Sequence, residues 1–456
     1  MRVIFANHSS APTNLGGAER SLLRFVEDWQ RIDPGLEPVF LTKAPEGTFI
    51  KALKERGWPF KAYRFRGWAL PSEQPAPAAE QAAFATVDYA TVRAMIDLFR
   101  KNRPDLVVTN TLVAPWASFA AAALGIPQAW IIREYGDLDH GLHFQVGRHA
   151  TFRDIGLMSG AVITNSEAMR AHLATDIDSD KISVAYPVVD TDALLAGRDG
   201  VPAVTPFPQP NSDLRVTVVG RVEEGKGQHR VIEALGLLRE RGLHVTACFV
   251  GSWKYPGYDQ QLLARARKLG VEDQLVFAGE QHDPAPYIAA SEVCVTPSTL
   301  EAFGRTTAEY MAMGRAVVAS SSGGSAELVA EGVTGRLFDV DDVRTLADAL
   351  ETYARDRALA AEHGAAAPER LSELMAVHTN AAAIARLRAV AETGDGYRLP
   401  EIAQYWFGLP AAYASLGATS AKAAVGLLAN RLKTRSGAVG RILARPGVVF
   451  RRLARR

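Results

Sequence analysis

Short, almost purely apolar runs alternate along this chain with segments in which apolar residues recur every three or four positions. The short runs predict buried strands, and the segments between them predict amphipathic helices. Because strands that are apolar on both faces alternate with helices, we expect an α/β protein whose parallel sheets are covered on both sides. The predicted strands are residues 3–6, 39–42, 106–109, 129–132, 161–164, 182–185, 215–219, 245–250, 274–278, 293–296, 316–320 and 336–338.

The strands fall into two series, which indicates two domains. A chain of 456 residues is too long for one ordinary core. Residues 191–213 belong to an interval rich in proline, glycine, alanine and aspartate, and they are predicted to be a linker. Residues 1–190 and 214–375 are then two doubly wound, Rossmann-like domains, and residues 376–456 form a helical extension. Two such domains facing each other across a cleft bind ligand at the carboxyl ends of their strands.

Bulk composition favours a reducing compartment and argues against nucleic acid as a partner. The net charge is +1 and the isoelectric point is near 7.8. Cys248 and Cys294 lie in apolar runs and are expected to be buried free thiols. The chain starts directly with a predicted strand, so we expect no secretory signal and a cytoplasmic protein. Residues 106–132 carry no charge, but asparagine, prolines and a glycine divide them into strand, helix and strand.

The C-terminal tail has a different character. From residue 402 onward the chain contains ten lysines or arginines and no aspartate or glutamate. Within residues 437–456, apolar residues at helical spacing lie between arginines, and Pro446 favours two short helices over one. Such a segment either lies on an anionic membrane surface or is a helix packed on the first domain with a frayed cationic end.

The segment from Ser298 to Gly314 carries the clearest chemical pattern. Glu301 and Glu309 are eight positions apart, which in one continuous helix separates them by about 12 Å and turns them about 80° from each other. If Gly304 breaks the chain, Glu301 lies in a loop and Glu309 about one turn into a helix. The amides of the helix start then suit a phosphate between two hydroxyl-rich groups, which outlines a nucleotide-sugar. These amides belong to Phe303, Gly304, Arg305 and Thr306.

Two glycine-containing turns add possible anion contacts. Gly220 ends a predicted strand, and Arg221 and Lys226 after it could neutralise a diphosphate without a metal, or be solvated surface cations. Gly16 and Gly17 join the first strand to the first helix, where they suit an anion or a sugar oxygen, or simply connect the two elements.

A third turn contains the glycine pair Gly323 and Gly324, which stands after a strand and before a helix. It either lets the backbone approach a ligand closely or forms a plain tight turn.

These elements in this order resemble the retaining glycosyltransferases of family four, over about residues 1–375. The resemblance is carried by the Gly16–Gly17 pair, by Gly220–Arg221 with Lys226, by the Glu301-to-Glu309 motif and by the 323–327 segment. It implies the two-domain GT-B fold, with an acceptor-side N-terminal domain and a nucleotide-sugar-binding C-terminal domain. It also implies transfer of a sugar from a nucleoside-diphosphate donor to an acceptor hydroxyl, with retention of anomeric configuration.

The resemblance implies a role for each matched residue. Arg221 and Lys226 would bind the donor diphosphate and stabilise the leaving group, together with the amides near 303–306. Glu301 would bind a hydroxyl of the donor sugar and Glu309 the ribose. Gly16 and Gly17 would face the donor phosphate or the acceptor from across the cleft.

The chain departs from the family at one position. Many relatives carry histidine and then an acid at the end of a strand in the first domain, where this chain has Arg133 and Glu134. Arginine cannot accept a proton, so it would stabilise charge or orient a substrate on the sugar or acceptor side, or the activity is impaired. A catalytically silent nucleotide-sugar-binding subunit is therefore one alternative, and a GT-B-like sugar-nucleotide epimerase is another.

Neither a metal nor a cofactor is expected besides the donor substrate. Asp-x-Asp, a metal–diphosphate signature in other glycosyltransferases, occurs five times here, which shows how little the pattern discriminates. The expected acceptor is a glycan or a lipid-linked glycan, as in cell-envelope or polysaccharide synthesis. Residues 64–81 are predicted to be a long irregular loop that contributes to the acceptor side, or a disordered insertion.

Overall fold

The computed structural model describes residues 1–71, 78–208 and 212–394, and Leu399. The first half forms a seven-stranded, fully parallel sheet of order β3-β2-β1-β5-β6-β8-β9, with β4 and β7 as a separate antiparallel pair. Its elements are β1 (Arg2–Asn7), α1 (Gly17–Ile32), β2 (Glu37–Lys43), α2 (Thr48–Glu55), β3 (Phe60–Tyr63), β4 (Ala69–Leu70), α3 (Ala78–Lys101), β5 (Leu106–Asn110), α4 (Trp116–Ala123), β6 (Gln128–Ile132), α5 (Asp137–His140), β7 (His143–Phe144), α6 (Arg148–Met158), β8 (Ala161–Thr164), α7 (Glu167–Leu173) and β9 (Ile182–Val184).

The second half forms a six-stranded parallel sheet of order β12-β11-β10-β13-β14-β15. Its elements are α8 (Thr191–Gly197), β10 (Leu214–Val219), α9 (Gln228–Glu240), β11 (Val245–Val250), α10 (Tyr258–Leu269), β12 (Leu275–Gly279), α11 (Ala285–Ala289), β13 (Val293–Thr296), α12 (Arg305–Ala312), β14 (Ala316–Ser320), α13 (Gly323–Leu328), β15 (Gly335–Phe338), α14 (Val343–Arg355), α15 (Arg357–Val377) and α16 (Asn380–Thr393). One-turn 3-10 helices lie at Ser179–Lys181, Glu224–Lys226 and Glu272–Gln274.

Both sheets reverse their strand order once, between β1 and β5 and between β10 and β13. In a doubly wound sheet the ligand crevice lies at this reversal, beyond the carboxyl ends of the strands. The predicted fold class, two Rossmann-like domains with parallel sheets, is therefore confirmed.

All twelve predicted strands are present, with ends displaced by two residues at most. The predictions missed three strands: the two-residue strands β4 and β7, and the edge strand β3, in which exposed Lys61 interrupts the apolar run. Residues 64–81 are less irregular than expected, because β4 pairs with β7 and α3 begins at Ala78; residues 72–77 lie outside the described residues. Cys248 and Cys294 are buried free thiols, as predicted, and burial raises the pKa of both to about 12.

The segments between and after the two domains also contain helices. Helix α8 lies within residues 191–213, the predicted linker, and packs against α11 and α12. Helix α15 packs on α12 and β14 of the second domain, after which the chain crosses back and α16 packs on α1, β6 and β8 of the first. The remainder of the predicted extension, including the basic tail 437–456, lies outside the described residues.

Apolar side chains of α16 belong to one face of the first domain's core, among them Leu387, which is fully buried. Nowhere in the described residues does a helix combine the length and the apolar character needed to cross a membrane.

Because α16 completes this core face, Leu387→Ala should lower the free energy of unfolding by about 2–5 kcal/mol, the usual cost of a cavity left by a buried leucine. Urea denaturation measures it. Leu157→Ala on α6 is the matched control, since Leu157 is 55% exposed, and it should change stability by less than about 0.5 kcal/mol. Equal effects of the two substitutions would contradict the docking of α16.

Candidate active site between the two domains

A cavity of about 540 Å³ lies between the carboxyl ends of the two sheets. Both domains contribute to its wall, so its shape depends on how they meet. The first domain contributes Gly17, Ala18, Ser21, Arg133, Glu134, Asp139, His140, Gly141, Asn165 and Pro187, and the second contributes Glu223, Glu224, Gly225, Lys226, Lys254, Tyr255, Leu300, Glu301, Ala302, Phe303, Gly304 and Arg305.

The start of α12 has the geometry that the sequence predicted. Gly304 adopts φ +87°, a left-handed conformation that breaks the chain before Arg305 opens the helix. Glu301 therefore lies in a loop on the cavity wall, whereas Glu309 lies in the second turn of α12. The backbone amides at this helix start carry partial positive charge next to the cavity.

Glu301 is held by two side chains of the second domain. Lys226 Nζ and Ser298 Oγ both donate to Glu301 Oε1, each at 2.6 Å. Lys226 is 75 residues away in the chain and reaches Glu301 because the 224–227 turn lies directly on the 297–301 segment, where Thr299 N–H donates to Gly225 O at 3.0 Å. A cation and a carboxylate thus stand side by side on the cavity wall.

Five of the predicted site residues do not line this cavity: Gly16, Gly220, Arg221, Thr306 and Glu309. The Arg221 side chain is exposed, and its carbonyl oxygen accepts from Gln228 Nε2 at 3.0 Å. Contacts of these residues with a donor stay predictions.

Glu309 instead lies near two arginines. Burial raises the pKa of its carboxyl, while nearby Arg305 and Arg20 lower it. Arg20 belongs to α1 of the first domain, so Glu309 lies close to the domain interface.

Arg133 and Glu134 follow β6 in the cleft, where Glu134 is buried and Arg133 is half-buried. Glu134 accepts from Leu112 N–H at 2.9 Å and from Arg133 N–H at 3.3 Å, and Arg133 Nη1 donates to Asn110 Oδ1. Burial raises the pKa of the Glu134 carboxyl to about 7, although the two hydrogen bonds and Arg133 act in the opposite direction. Burial also lowers the pKa of Arg133 to about 10.

The Gly323–Gly324 pair permits a close approach, but the approaching group is protein backbone. A Cβ on Gly323 would lie 2.3 Å from Glu301 O, and one on Gly324 would lie 2.5 Å from Phe303 Cα. The amide of Gly324 donates to Glu301 O at 2.7 Å. The pair therefore fixes the loop that carries Glu301.

Sequence reasoning missed two contacts that join the domains. Arg305 Nη2 donates to Ser21 Oγ at 2.9 Å. The Glu327 carboxylate accepts from the first amides of α7, Glu167 N–H at 3.1 Å and Ala168 N–H at 2.9 Å, and from Tyr186 OH at 2.7 Å. Only the serine, glutamate and apolar run at the start of α7 signalled a helix terminus, and nothing in the sequence assigned a partner to it.

The aspartates nearest the cavity have partners within the protein. Asp139 accepts from the amides of Tyr135 and Gly136, and Asp137 accepts from Arg148 Nε at 2.9 Å. Across the described residues, no three His, Cys, Asp or Glu side chains cluster closely enough to hold a metal ion.

Two family models match this chain. The model for glycosyltransferase family 4 matches residues 15–193, and that for glycosyl transferases group 1 matches residues 206–370. The chain is 31% identical over 256 residues to the lipopolysaccharide core biosynthesis mannosyltransferase LpsB of Rhizobium meliloti, a match that covers 51% of this chain and 73% of LpsB. This chain belongs to glycosyltransferase family four.

Some other relatives of this family-four chain match it over less of their length. The lipopolysaccharide core biosynthesis mannosyltransferase LpcC of Rhizobium leguminosarum bv. viciae is 32% identical over 191 residues, which cover 41% of this chain and 53% of LpcC. With LpcC and several other curated relatives, the match thus spans about half of the relative's length.

The GT-B fold is shared with solved structures. The crystal structure of Anabaena Alr3699/HepE in complex with UDP superposes with a TM-score of 0.64 at 22% identity, covering 86% of this chain and 99% of that one.

The raised pKa of Glu134 predicts a pH dependence of stability. Between its ordinary pKa of 4.5 and its folded value of about 7, the folded protein binds a proton that the unfolded chain releases. The contribution of Glu134 to the free energy of unfolding is therefore fully present below pH 4.5. It is lost as the pH rises through 7, and the loss is on the order of 3 kcal/mol. Glu134→Gln cannot titrate, so its free energy of unfolding should fall less than that of the wild type between these pH values.

Urea denaturation at about pH 5 and about pH 8 measures this difference. Glu240→Gln, at an exposed position near the end of α9, is the control and should follow the wild type. If the free energy of unfolding of wild type and Glu134→Gln changed in parallel with pH, the raised pKa of Glu134 would be contradicted.

Proposed function

We propose that this protein is a retaining glycosyltransferase that moves a sugar from a nucleoside-diphosphate-sugar to an acceptor hydroxyl. The observation that carries the proposal is the Lys226–Glu301 pair beside the start of α12, on the wall of the interdomain cavity. This arrangement offers a cation and backbone amides to a diphosphate, and a carboxylate to the hydroxyls of a sugar.

The chemistry requires stabilisation of a leaving group. When the bond between the sugar and the diphosphate breaks, negative charge accumulates on the phosphate oxygens, and fixed donors next to them lower that barrier. In the proposal Lys226 and the amides of 303–306 are these donors, with Arg221 reaching the diphosphate when the donor binds. Glu301 binds a hydroxyl of the donor sugar, Glu309 the ribose, and the Gly16–Gly17 turn faces the phosphates from the other domain.

A catalytically silent donor-binding subunit is the second candidate, and Arg133 favours it. Its guanidinium cannot accept a proton, and it lies half-buried beside Glu134 at the end of β6. The two candidates differ in turnover. Donor binding without transfer to any acceptor and without donor hydrolysis would favour the silent subunit, whereas release of the nucleoside diphosphate supports the enzyme.

Removal of the Lys226 charge should weaken donor binding. We expect the Kd of Lys226→Gln for its nucleotide-sugar to rise about ten- to hundredfold, because a charge-assisted hydrogen bond is lost. A thermal-shift panel of UDP-, GDP-, ADP- and dTDP-sugars first identifies the donor, since a bound ligand stabilises the fold by mass action. Lys268→Gln, exposed on α10, is the control. Unchanged affinity of Lys226→Gln, or no binding of any donor, would overturn the proposal.

For the acceptor we propose a cell-envelope glycan or a lipid-linked glycan, met at an anionic membrane surface. The relatives LpsB and LpcC act in lipopolysaccharide core biosynthesis, and the tail 437–456 combines arginines with an apolar pattern.

Deletion of residues 430–456 should release the protein from vesicles of anionic lipid, because each tail cation near the surface contributes about 1 kcal/mol. Vesicle co-sedimentation measures binding, and transfer to a soluble acceptor should persist. Equal sedimentation of both proteins would refute the role of the tail.

A further inference from the structure

A second, smaller cavity opens beside the candidate donor site, and its wall carries four arginines. It measures about 50 Å³ and lies between α1, the carboxyl ends of β6, β8 and β9, and the start of α12. Arg20, Arg24, Arg133 and Arg305 line it, together with the neutral polar residues Ser21 and Asn380. No aspartate or glutamate is among the described residues of this wall. We refer to it as the arginine crevice.

The arginines of the crevice are only partly neutralised. Arg133 donates to Asn110 Oδ1 and Arg305 to Ser21 Oγ, both uncharged oxygens. Arg24 approaches Asp28 at 3.8 Å, but about half of its side chain is exposed, so this pair contributes little. Within the described chain, no carboxylate oxygen lies within 4.0 Å of the guanidinium nitrogens of Arg20, Arg133 or Arg305.

Concentrating these cations is unfavourable for the protein alone. Burial lowers the pKa of both Arg133 and Arg305. Nearby Glu134 and Glu309 raise these pKa values in part, whereas the neighbouring cations, Arg305 beside Arg133 and Arg20 beside Arg305, lower them further. A partly buried charge that is incompletely paired costs folding free energy, and an anion between the guanidinium groups would lower that cost.

The crevice adjoins the candidate donor cavity. Arg133, Arg305, Ser21 and Pro187 line both, so a ligand in the larger cavity can extend a substituent into the smaller one. A water molecule needs about 10–15 Å³ of cavity volume. A cavity of about 50 Å³ therefore admits a group of a few heavy atoms, such as a carboxylate or a phosphate. Guanidinium groups recognise both by paired hydrogen bonds.

We propose that the arginine crevice binds a carboxylate or phosphate carried by one of the two reacting saccharides, so that this glycosyltransferase acts on an acidic or phosphorylated sugar. The inference rests on the proposed function. It adds Arg20 and Arg24 to the substrate-binding residues and assigns Arg133 a purely electrostatic role, which needs no proton acceptor.

The test uses the full chain saturated with the nucleoside diphosphate identified by the donor panel, so that inorganic phosphate cannot occupy the donor site. Calorimetric titration with inorganic phosphate should show binding in the wild type. In the double variant Arg20→Gln/Arg24→Gln the apparent Kd should rise about tenfold or more, because charge-assisted hydrogen bonds are lost. Arg31→Gln, on the same helix but outside the crevice, should bind phosphate as the wild type does.

No phosphate binding in the saturated wild type, or equal binding in the double variant, would overturn the crevice proposal and leave the donor site intact. A chain that binds no nucleoside diphosphate would instead contradict the proposed function. The two failures are therefore distinguishable.

Two further titrations show whether the anion belongs to the donor sugar or to the acceptor. In these titrations a neutral nucleoside-diphosphate hexose or the corresponding uronate replaces the nucleoside diphosphate. If the anion belongs to the donor sugar, the uronate binds more tightly than the hexose, loses this preference in Arg20→Gln/Arg24→Gln and prevents phosphate binding. If it belongs to the acceptor, phosphate binds equally with both donors. Both outcomes support the proposal that the arginine crevice binds an anionic group of a reacting saccharide.

Discussion

The contact between the turn 224–227 and the segment 297–301 is the constraint on which the candidate donor site depends. It requires glycine at position 227, where φ is +72° and a Cβ would lie 1.9 Å from Pro297 O. Because the two backbones are in contact, Lys226 reaches Glu301, although Lys226 follows β10 and Glu301 follows β13. On the other side of the same loop, Gly323 and Gly324 allow α13 to pack directly on residues 301–303. The Glu301 loop is thus fixed from two sides before any ligand arrives.

The second constraint is the contact between the domains. Glu327 lies four residues after Gly323, which packs on this loop. Its carboxylate accepts hydrogen bonds from the amides at the start of α7 and thereby satisfies donors that the helix leaves unpaired. Arg305, the first residue of α12, reaches Ser21 on α1. The loop that holds Glu301 therefore leads into α12 and packs against α13, and both helices contact the other domain. The candidate donor site is thereby coupled to the domain interface.

The cleft also concentrates charges that are unfavourable in the folded protein. Burial raises the pKa of Glu134 and Glu309 and lowers that of Arg133 and Arg305, so each group is less easily charged than in water. Elsewhere in the described chain, ion pairs such as Lys51–Glu55, Asp97–Arg100 and Arg267–Glu272 are exposed on both sides and contribute little. Titratable groups shifted by desolvation in a cleft are typical of binding and catalytic sites.

The sequence by itself determined the twelve principal strands, the two domains and the break at Gly304, because these follow from local apolar periodicity and backbone conformation. It also singled out Lys226, Glu301 and Arg133. Only the tertiary structure decided which of them meet, since Lys226 joins Glu301 across 75 residues, whereas Arg221 lies exposed outside the cavity. The arginine crevice and the Glu327 contact could not be predicted, because their partners come from the other domain and no local pattern records which helix start a distant carboxylate will reach.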